Sequence, residues 1–350
     1  MATKKVTFKA SAFDATLTRY PSRIAMGAVP SADRSFFSSA GTNLWFSTDA
    51  AGNTLPSYKH AGQVSGSDFW IDAPLGSASD ASDTILYAHD TGKPVGYDAL
   101  DLIYDGDTKL VMPLAFDFDD QSGNANNGTG NGGITEGGVT GPDGVSPATD
   151  FDGSDDYLAM PQDMIQGIAS ACTWKAWIKK TASGINQIIC YDRVGAERQF
   201  QFRVDADGGL RLIRFDSSSN VVCNFATSQK LDNDEWYLVA ATFSVANGSR
   251  LYIDGTLRGT DANQTATSDR VGQGSVGVRI TSNFGLGELF GGSQHSASIS
   301  AVEEDAAWIK ADYLLQGPNA STHLLIDDVA APASNARRRR LIIDSYARCA

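Results

Sequence analysis

Between Trp236 and Ile253 the apolar residues fall into two short runs, 236–243 and 250–253, parted by Asn247-Gly248-Ser249 and closed by Asp254-Gly255. Short apolar-rich runs bounded by Asn-Gly and Asp-Gly are hairpin signals, because such turns need φ > 0 where the glycine stands. The same punctuation recurs along most of the chain and predicts many short antiparallel strands.

From Lys5 to about Asp90 the runs are KVTFKA, NLWFST, DFWIDAP and TILYAHD, with Pro21, Pro30, Pro56 and Pro74 at their edges. Proline lacks a ladder donor, so these positions suit strand ends. Residues 1–95 are therefore expected to form a small antiparallel β-sandwich, followed by a connector at 96–108. A second series begins with LVMPLAFDF (110–118) and continues through TDFDGSDDYLAMP, CTWKAWIKK, NQIICYD, QFQFRVDADGGLRLIRFD, WYLVAATFS, SRLYIDGTLRG and GSVGVRITS. Eight or more short strands at even spacing predict a double-sheet jelly roll over 109–327. The segment 328–350 reads as a linker and tail.

Composition agrees with an all-β chain. Six Glu stand against 35 Asp, with 35 Gly, so turn formers greatly exceed this helix former. The net charge of −13 excludes general nucleic-acid binding, which needs clustered cations over a broad face. No apolar run reaches the length of a membrane span, and MATKKVTFKAS lacks the apolar core of a secretory signal. Cys172, Cys190, Cys223 and Cys349 show no C-x-x-C spacing and are expected to be reduced thiols.

Three stretches together carry a family resemblance: DFDGSDDYLAMP at 150–161, CTWKAWIKK at 172–180, and the W-x-x-V-A-x-T-F…L-Y-I-D-G pattern from Trp236 to Gly255. On these the second module resembles the laminin-G-like, concanavalin A-type jelly rolls. The first module is similar to the short β domain of unknown function that precedes such jelly rolls in surface proteins of bacteria and phages. AAWIKADYLLQ (306–316) resembles their closing helix. The resemblance implies an adhesive or structural protein, and many jelly rolls of this type bind glycans.

It also implies an Asp-Glu pair in the last strand before the closing helix, but here SQHSASIS (293–300) has His295 and Ser296 in those places. Calcium takes six to eight oxygens. Asp117, Asp119, Asp120 and Asn124 offer oxygens around one loop, so any calcium site would be weak; no other cofactor is expected.

No catalytic residue is assigned. Glycoside hydrolysis needs two carboxylates facing across a groove; Glu303-Glu304-Asp305 runs into the helical segment, and Glu136, Glu197, Glu235 and Glu288 are isolated. His60, His89, His295 and His323 lie far apart and read as surface or half-buried residues. Strand alternation points Trp177 and Trp236 into the sandwich.

The tail NARRRRLIIDSYARCA places Arg337, Arg338, Arg339 and Arg340 beside Leu341, Ile342, Ile343 and Tyr346. Arginine forks match carboxylates while the aliphatic residues suit a groove or sheet edge, so this segment is expected to dock on an acidic protein partner. The function expected is a phage virion surface structural protein (fibre, spike or capsid decoration), made in the host cytoplasm. Other virion proteins, a second copy in a homo-oligomer and a host-surface glycan are its expected partners. The alternatives are a non-catalytic carbohydrate-binding module of a bacterial surface protein and, less favoured, a glycan-active enzyme.

Overall fold

A computed structural model of the chain describes residues 3–9, 13, 21–25, 29, 31–40, 44–47, 52, 60–64, 68–72, 83–90, 104, 106–115, 117–161, 167–181, 187–194, 197–268, 279–280 and 288–329. The chain is mainly strand, paired antiparallel. The larger sheet orders Thr256–Asp261, Gly248–Ile253, Tyr237–Ser244, Ala171–Lys180, Gly291–Ser300, Pro147–Asp152 and Thr135–Thr140. Thr108–Met112 pairs with the far half of Gly291–Ser300. The smaller sheet orders Val221–Lys230, Gly209–Phe215, Glu197–Val204, Gln187–Val194, Arg279–Ile280, Tyr157–Ala159 and Thr129–Asn131.

The hairpin read from the sequence forms as its turns dictate. Val239 faces Ile253 and Ser244 faces Gly248 across the ladder. Asp254 and Gly255 both hold positive φ, 52° and 71°, as a type I′ turn requires. The opening run is shorter than expected: the strand ends at Met112, and Leu114 behind Pro113 adopts φ 57°.

Inward residues of the two sheets make one core, with Trp174, Ala176 and Ile178 meeting Phe200, Phe202, Leu210 and Leu212. The Trp174 and Phe200 rings lie 4.3 Å apart. Each buried Leu, Ile or Phe side chain of this core contributes about 1.5–3 kcal/mol by leaving water. A guanidinium closes one end of this core. Arg214 lies over the Phe243 ring at 3.4 Å, and it donates to Ser249 Oγ, Thr267 Oγ1, Asn263 O and Thr265 O at 2.9–3.0 Å. Cys172 and Cys223 are buried, free thiols; the side chains of Cys190 and Cys349 lie outside the described residues.

Trp177 corrects the alternation argument. It is fully buried, yet it points away from the inter-sheet core to a separate cluster with Leu238, Ala240, Tyr252 and Ile309, against which Trp236 also packs. The reason is the helix Ala306–Gln316, which covers the outer face of the larger sheet, so strand Ala171–Lys180 has no solvent side for alternation to reveal. The helix forms where expected. Asp305 caps it by accepting from Trp308 N at 2.8 Å. At its end a Cβ on Gly317 would stand 2.8 Å from the Trp177 ring, so glycine permits that close passage.

The N-terminal region holds a four-stranded sheet, ordered Leu324–Asp328, Thr3–Phe8, Thr84–His89 and Trp45–Ser47, and a three-stranded sheet of Pro21–Ala25, Asp68–Asp72 and His60–Val64. Its core gathers Val6, Phe8, Phe46 and Leu86 with Phe37 of a short helix, Arg34–Ala40, and with Ala311 and Leu315 of the closing helix. The closing helix therefore packs into both this core and the separate Trp177 cluster. Two histidines are buried rather than superficial. His89 stacks on Trp45 at 4.2 Å and shares hydrogen bonds with Ser47 Oγ and Thr3 Oγ1, while His295 sits opposite Trp177. No helix among the described residues is long and apolar enough to cross a membrane.

Candidate functional site

Two polar assemblies stand on the outer faces of the sandwich. On the smaller sheet, alternation along Glu197–Val204 turns Phe200 and Phe202 inward and leaves Gln199, Gln201 and Arg203 on the other face. Arg203 stands directly opposite Arg211 of the next strand. Two like charges in register repel, and Asp205 relieves this by accepting from Arg203 Nε at 3.0 Å and Arg211 Nε at 2.6 Å. Glu288 adds a second carboxylate, taking Gln201 Nε2 at 3.0 Å and lying 3.5 Å from Arg203. Arg211 also donates to Asn224 Oδ1 at 2.5 Å. Gln199 and Gln201 are both buried, and among the described residues Gln199 Oε1 has no donor. The result is a rigid array of amides, guanidinia and carboxylates, the chemistry that recognises hydroxyl groups.

The second assembly is enclosed. Lys175 leaves the larger sheet on the same face as Trp177 and would meet solvent if the helix were absent. Instead its ammonium contacts Glu304 Oε2 and Asp312 Oδ2, each at 2.5 Å. Gln316, one turn after Asp312, donates to Asp312 Oδ1 at 3.1 Å and accepts from Ser296 Oγ at 3.2 Å. Burial works against the Lys175 charge, but the Asp312 and Glu304 carboxylates outweigh it and hold the pKa above the ordinary lysine value. Burial also pushes the Glu304 carboxyl up. These groups border a cavity of about 270 Å³ that Tyr104 and Trp308 also line.

The three consecutive acids before the helix have separate duties. Glu303 accepts from Ser244 Oγ and Asn247 Nδ2 and pairs with Arg250; Glu304 meets Lys175; Asp305 caps the helix. The residues read as a weak calcium set organise their own loop. Asp120 Oδ1 accepts from Val111 N and Ser122 N, and its Oδ2 accepts from Ser122 Oγ and Asn126 N. Asp117 Oδ1 takes Asp119 N, and Asn124 turns its amide nitrogen to Thr108 O. Ser296 gives its N–H to Pro113 O.

A different acidic group, Asp152, Asp155 and Asp156, brings carboxylate oxygens within 4.8 Å of one another. Backbone donors, Ser154 N first, hold the Asp152 carboxyl below its usual range, while burial raises Asp156. Arg337–Arg340, Leu341, Ile342, Ile343 and Tyr346 lie outside the described residues.

Neither outer-face assembly was named from the sequence. The signal for the first was the polar alternation Gln199, Gln201, Arg203; for the second it was a lysine between Trp174 and Trp177 in an otherwise apolar strand.

The two antiparallel sheets and their shared core define a concanavalin A-like jelly roll. Residues 152–310 match the family model of the concanavalin A-like lectin/glucanases superfamily, within the laminin G type. No curated protein matches the chain. Among solved structures it is similar to the binding domain of Paraclostridial mosquitocidal protein 1, with 13% identity and a TM-score of 0.48 over 59% of this chain and 52% of that one. It is similar to the receptor-binding domain of botulinum neurotoxin C/D mosaic serotype, with 15% identity and a TM-score of 0.44 over 59% and 51%. The likeness thus spans about half the length of those two toxin domains. Domain 4 of an extracellular arabinanase from Geobacillus stearothermophilus, solved with arabinotriose, matches at 16% identity and a TM-score of 0.45 over 59% of this chain and 98% of that domain.

Proposed function

We propose that the chain is a non-catalytic, glycan-binding surface protein whose jelly roll reads saccharide hydroxyls on the outer face of its smaller sheet. One observation carries this reading: among the described residues, Gln199 Oε1 is a buried acceptor without a donor, beside Gln201 and Arg203. An unmet buried acceptor costs about 1–3 kcal/mol, a cost that a ligand hydroxyl would remove. The match to a lectin and glucanase superfamily supports the same class of ligand. Glycan-array binding followed by Gln201→Ala and Arg203→Ala tests it. Loss of binding with an unchanged circular dichroism spectrum is expected; a folded variant that binds as the parent does would sink the proposal.

We further propose that the protein belongs to a phage particle as a fibre, spike or capsid decoration, and that residues 335–350 dock it on other virion proteins or pair its protomers. The order of the two modules and the arginine-aliphatic tail support this reading. Truncation after Ser334 should abolish incorporation or oligomerisation, and normal assembly of the truncated chain would reject the docking role. Capsid, portal or tail genes are the expected neighbours of its gene; neighbours encoding a bacterial cell surface would instead favour a carbohydrate-binding module there.

A further inference from the structure

A primary amide lies inside the apolar core of the sandwich. Gln294 stands directly opposite Ile178, whose side chain enters the inter-sheet core, and cross-strand partners share a face. Gln294 is accordingly fully buried, and it borders a small cavity together with Trp174, Ile189 and Phe202. Among the described residues, neither its Oε1 nor its Nε2 has a hydrogen-bond partner, and Trp174 Nε1 is likewise buried and unpaired. Native interiors satisfy nearly all such groups, so three unmet polar atoms on two residues of one cavity call for a ligand.

The cavity has a local origin. The ladder between Ala171–Lys180 and Gly291–Ser300 slips between Lys175 and Trp177, which face Ser298 and His295, so the second strand carries one extra residue there. Such a bulge interrupts the pairing and bends its strand. The core side chains beside it are alanines, Ala176 and Ala297, too short to fill the space that they border. At about 10 Å³ the cavity matches the roughly 10–15 Å³ that a single water requires and excludes anything larger.

We infer that this cavity holds one ordered water molecule, which bridges the Trp174 indole to the Gln294 amide. The water accepts from Trp174 Nε1, and it either donates to Gln294 Oε1 or accepts from Gln294 Nε2. It thereby ties the two strands together where their ladder is interrupted. A one-residue slip of Gly291–Ser300 would send Gln294 to the outer face and lose the bridge, so the water helps to fix the register at the bulge. The site lies between the sheets and does not depend on glycan binding at the smaller sheet's outer face.

High-resolution crystallography and NMR of the full chain test the assignment. Density for one water within about 3.2 Å of Trp174 Nε1 and of the Gln294 amide is expected, and the Trp174 indole proton should show a cross-peak to a long-lived water. Gln294→Met, similar in volume but without the amide, should abolish that cross-peak. Trp174→Phe should lower the urea midpoint less in the Gln294→Met background than in the parent, because the bridge is already gone. Should either variant fail to fold, the density and the cross-peak of the parent decide alone. An empty cavity, a direct hydrogen bond between Gln294 and Trp174, a cross-peak that persists in folded Gln294→Met, or additive effects of the two changes would each overturn it.

Discussion

Lys4 and Asp328 stand 324 positions apart in the chain and meet at 2.6 Å. Asp328 is 86% exposed, so the ion pair itself adds little. It marks a more consequential pairing, Thr3–Phe8 with Leu324–Asp328, in which Val6 faces Ile326 and Phe8 faces Leu324. Truncation after His323 should therefore unfold the N-terminal module, losing at least about 3 kcal/mol through Leu324 and Ile326 alone. Truncation after Ser334 keeps the strand and should leave stability unchanged. Urea melts of the two truncated chains make the comparison; equal midpoints would show that this strand is dispensable.

Lys175→Met leaves Glu304 and Asp312 together without their cation. Breaking a buried pair from one side costs about 3–5 kcal/mol, so the variant should be far less stable at pH 7. Burial already raises the Glu304 pKa, and loss of Lys175 removes the attraction that opposes the rise. A carboxyl with a raised folded pKa contributes stability that is full below its unfolded value, about 4.3, and is lost as pH climbs through the folded one. Denaturant midpoints measured from pH 7 down to pH 5 should therefore bring the variant closer to its parent; a constant gap would contradict this account.

Arg214 answers two backbone carbonyls, Asn263 O and Thr265 O, from inside the sandwich. Arg214→Lys keeps the charge but loses the planar fork. Each carbonyl left without its donor costs about 1–3 kcal/mol. Both Arg214→Lys and Arg214→Met should lower the melting temperature clearly. Parental stability in Arg214→Lys would show that charge alone suffices.

Cys172 is fully buried, and burial pushes its thiol well above the ordinary cysteine range. The thiolate is the reactive form. Iodoacetamide should leave Cys172 unmodified in the native protein and label it in urea, as peptide mass mapping would reveal. Rapid native labelling would mean that the end of the core near Arg214 opens readily.

What the sequence disclosed follows the range of the interactions. The hairpin from Tyr237 to Ile253 was legible because Gly248 and Asp254-Gly255 fix it locally. The helix 306–316 was legible through its resemblance to the closing helix of the family, while its Asp305 cap became visible only in the structure. Trp177 was misplaced because the helix shields a strand face that alternation treats as free. The strand Leu324–Asp328 gave no sign of its partner, which lies at the opposite end of the chain. The candidate site was the least legible, since Lys175 acquires meaning only when Glu304 and Asp312 arrive from another element.

The pairing of Thr3–Phe8 with Leu324–Asp328 also sets how the molecule bears load. The strands run antiparallel, and Val329 N reaches Thr3 O, so the chain enters and leaves the sheet side by side. Tension applied between these two points would peel the ladder from its end, breaking one hydrogen bond after another instead of shearing all of them at once. The N-terminal sheet would yield first as a mechanical fuse, leaving the jelly roll intact on its tether.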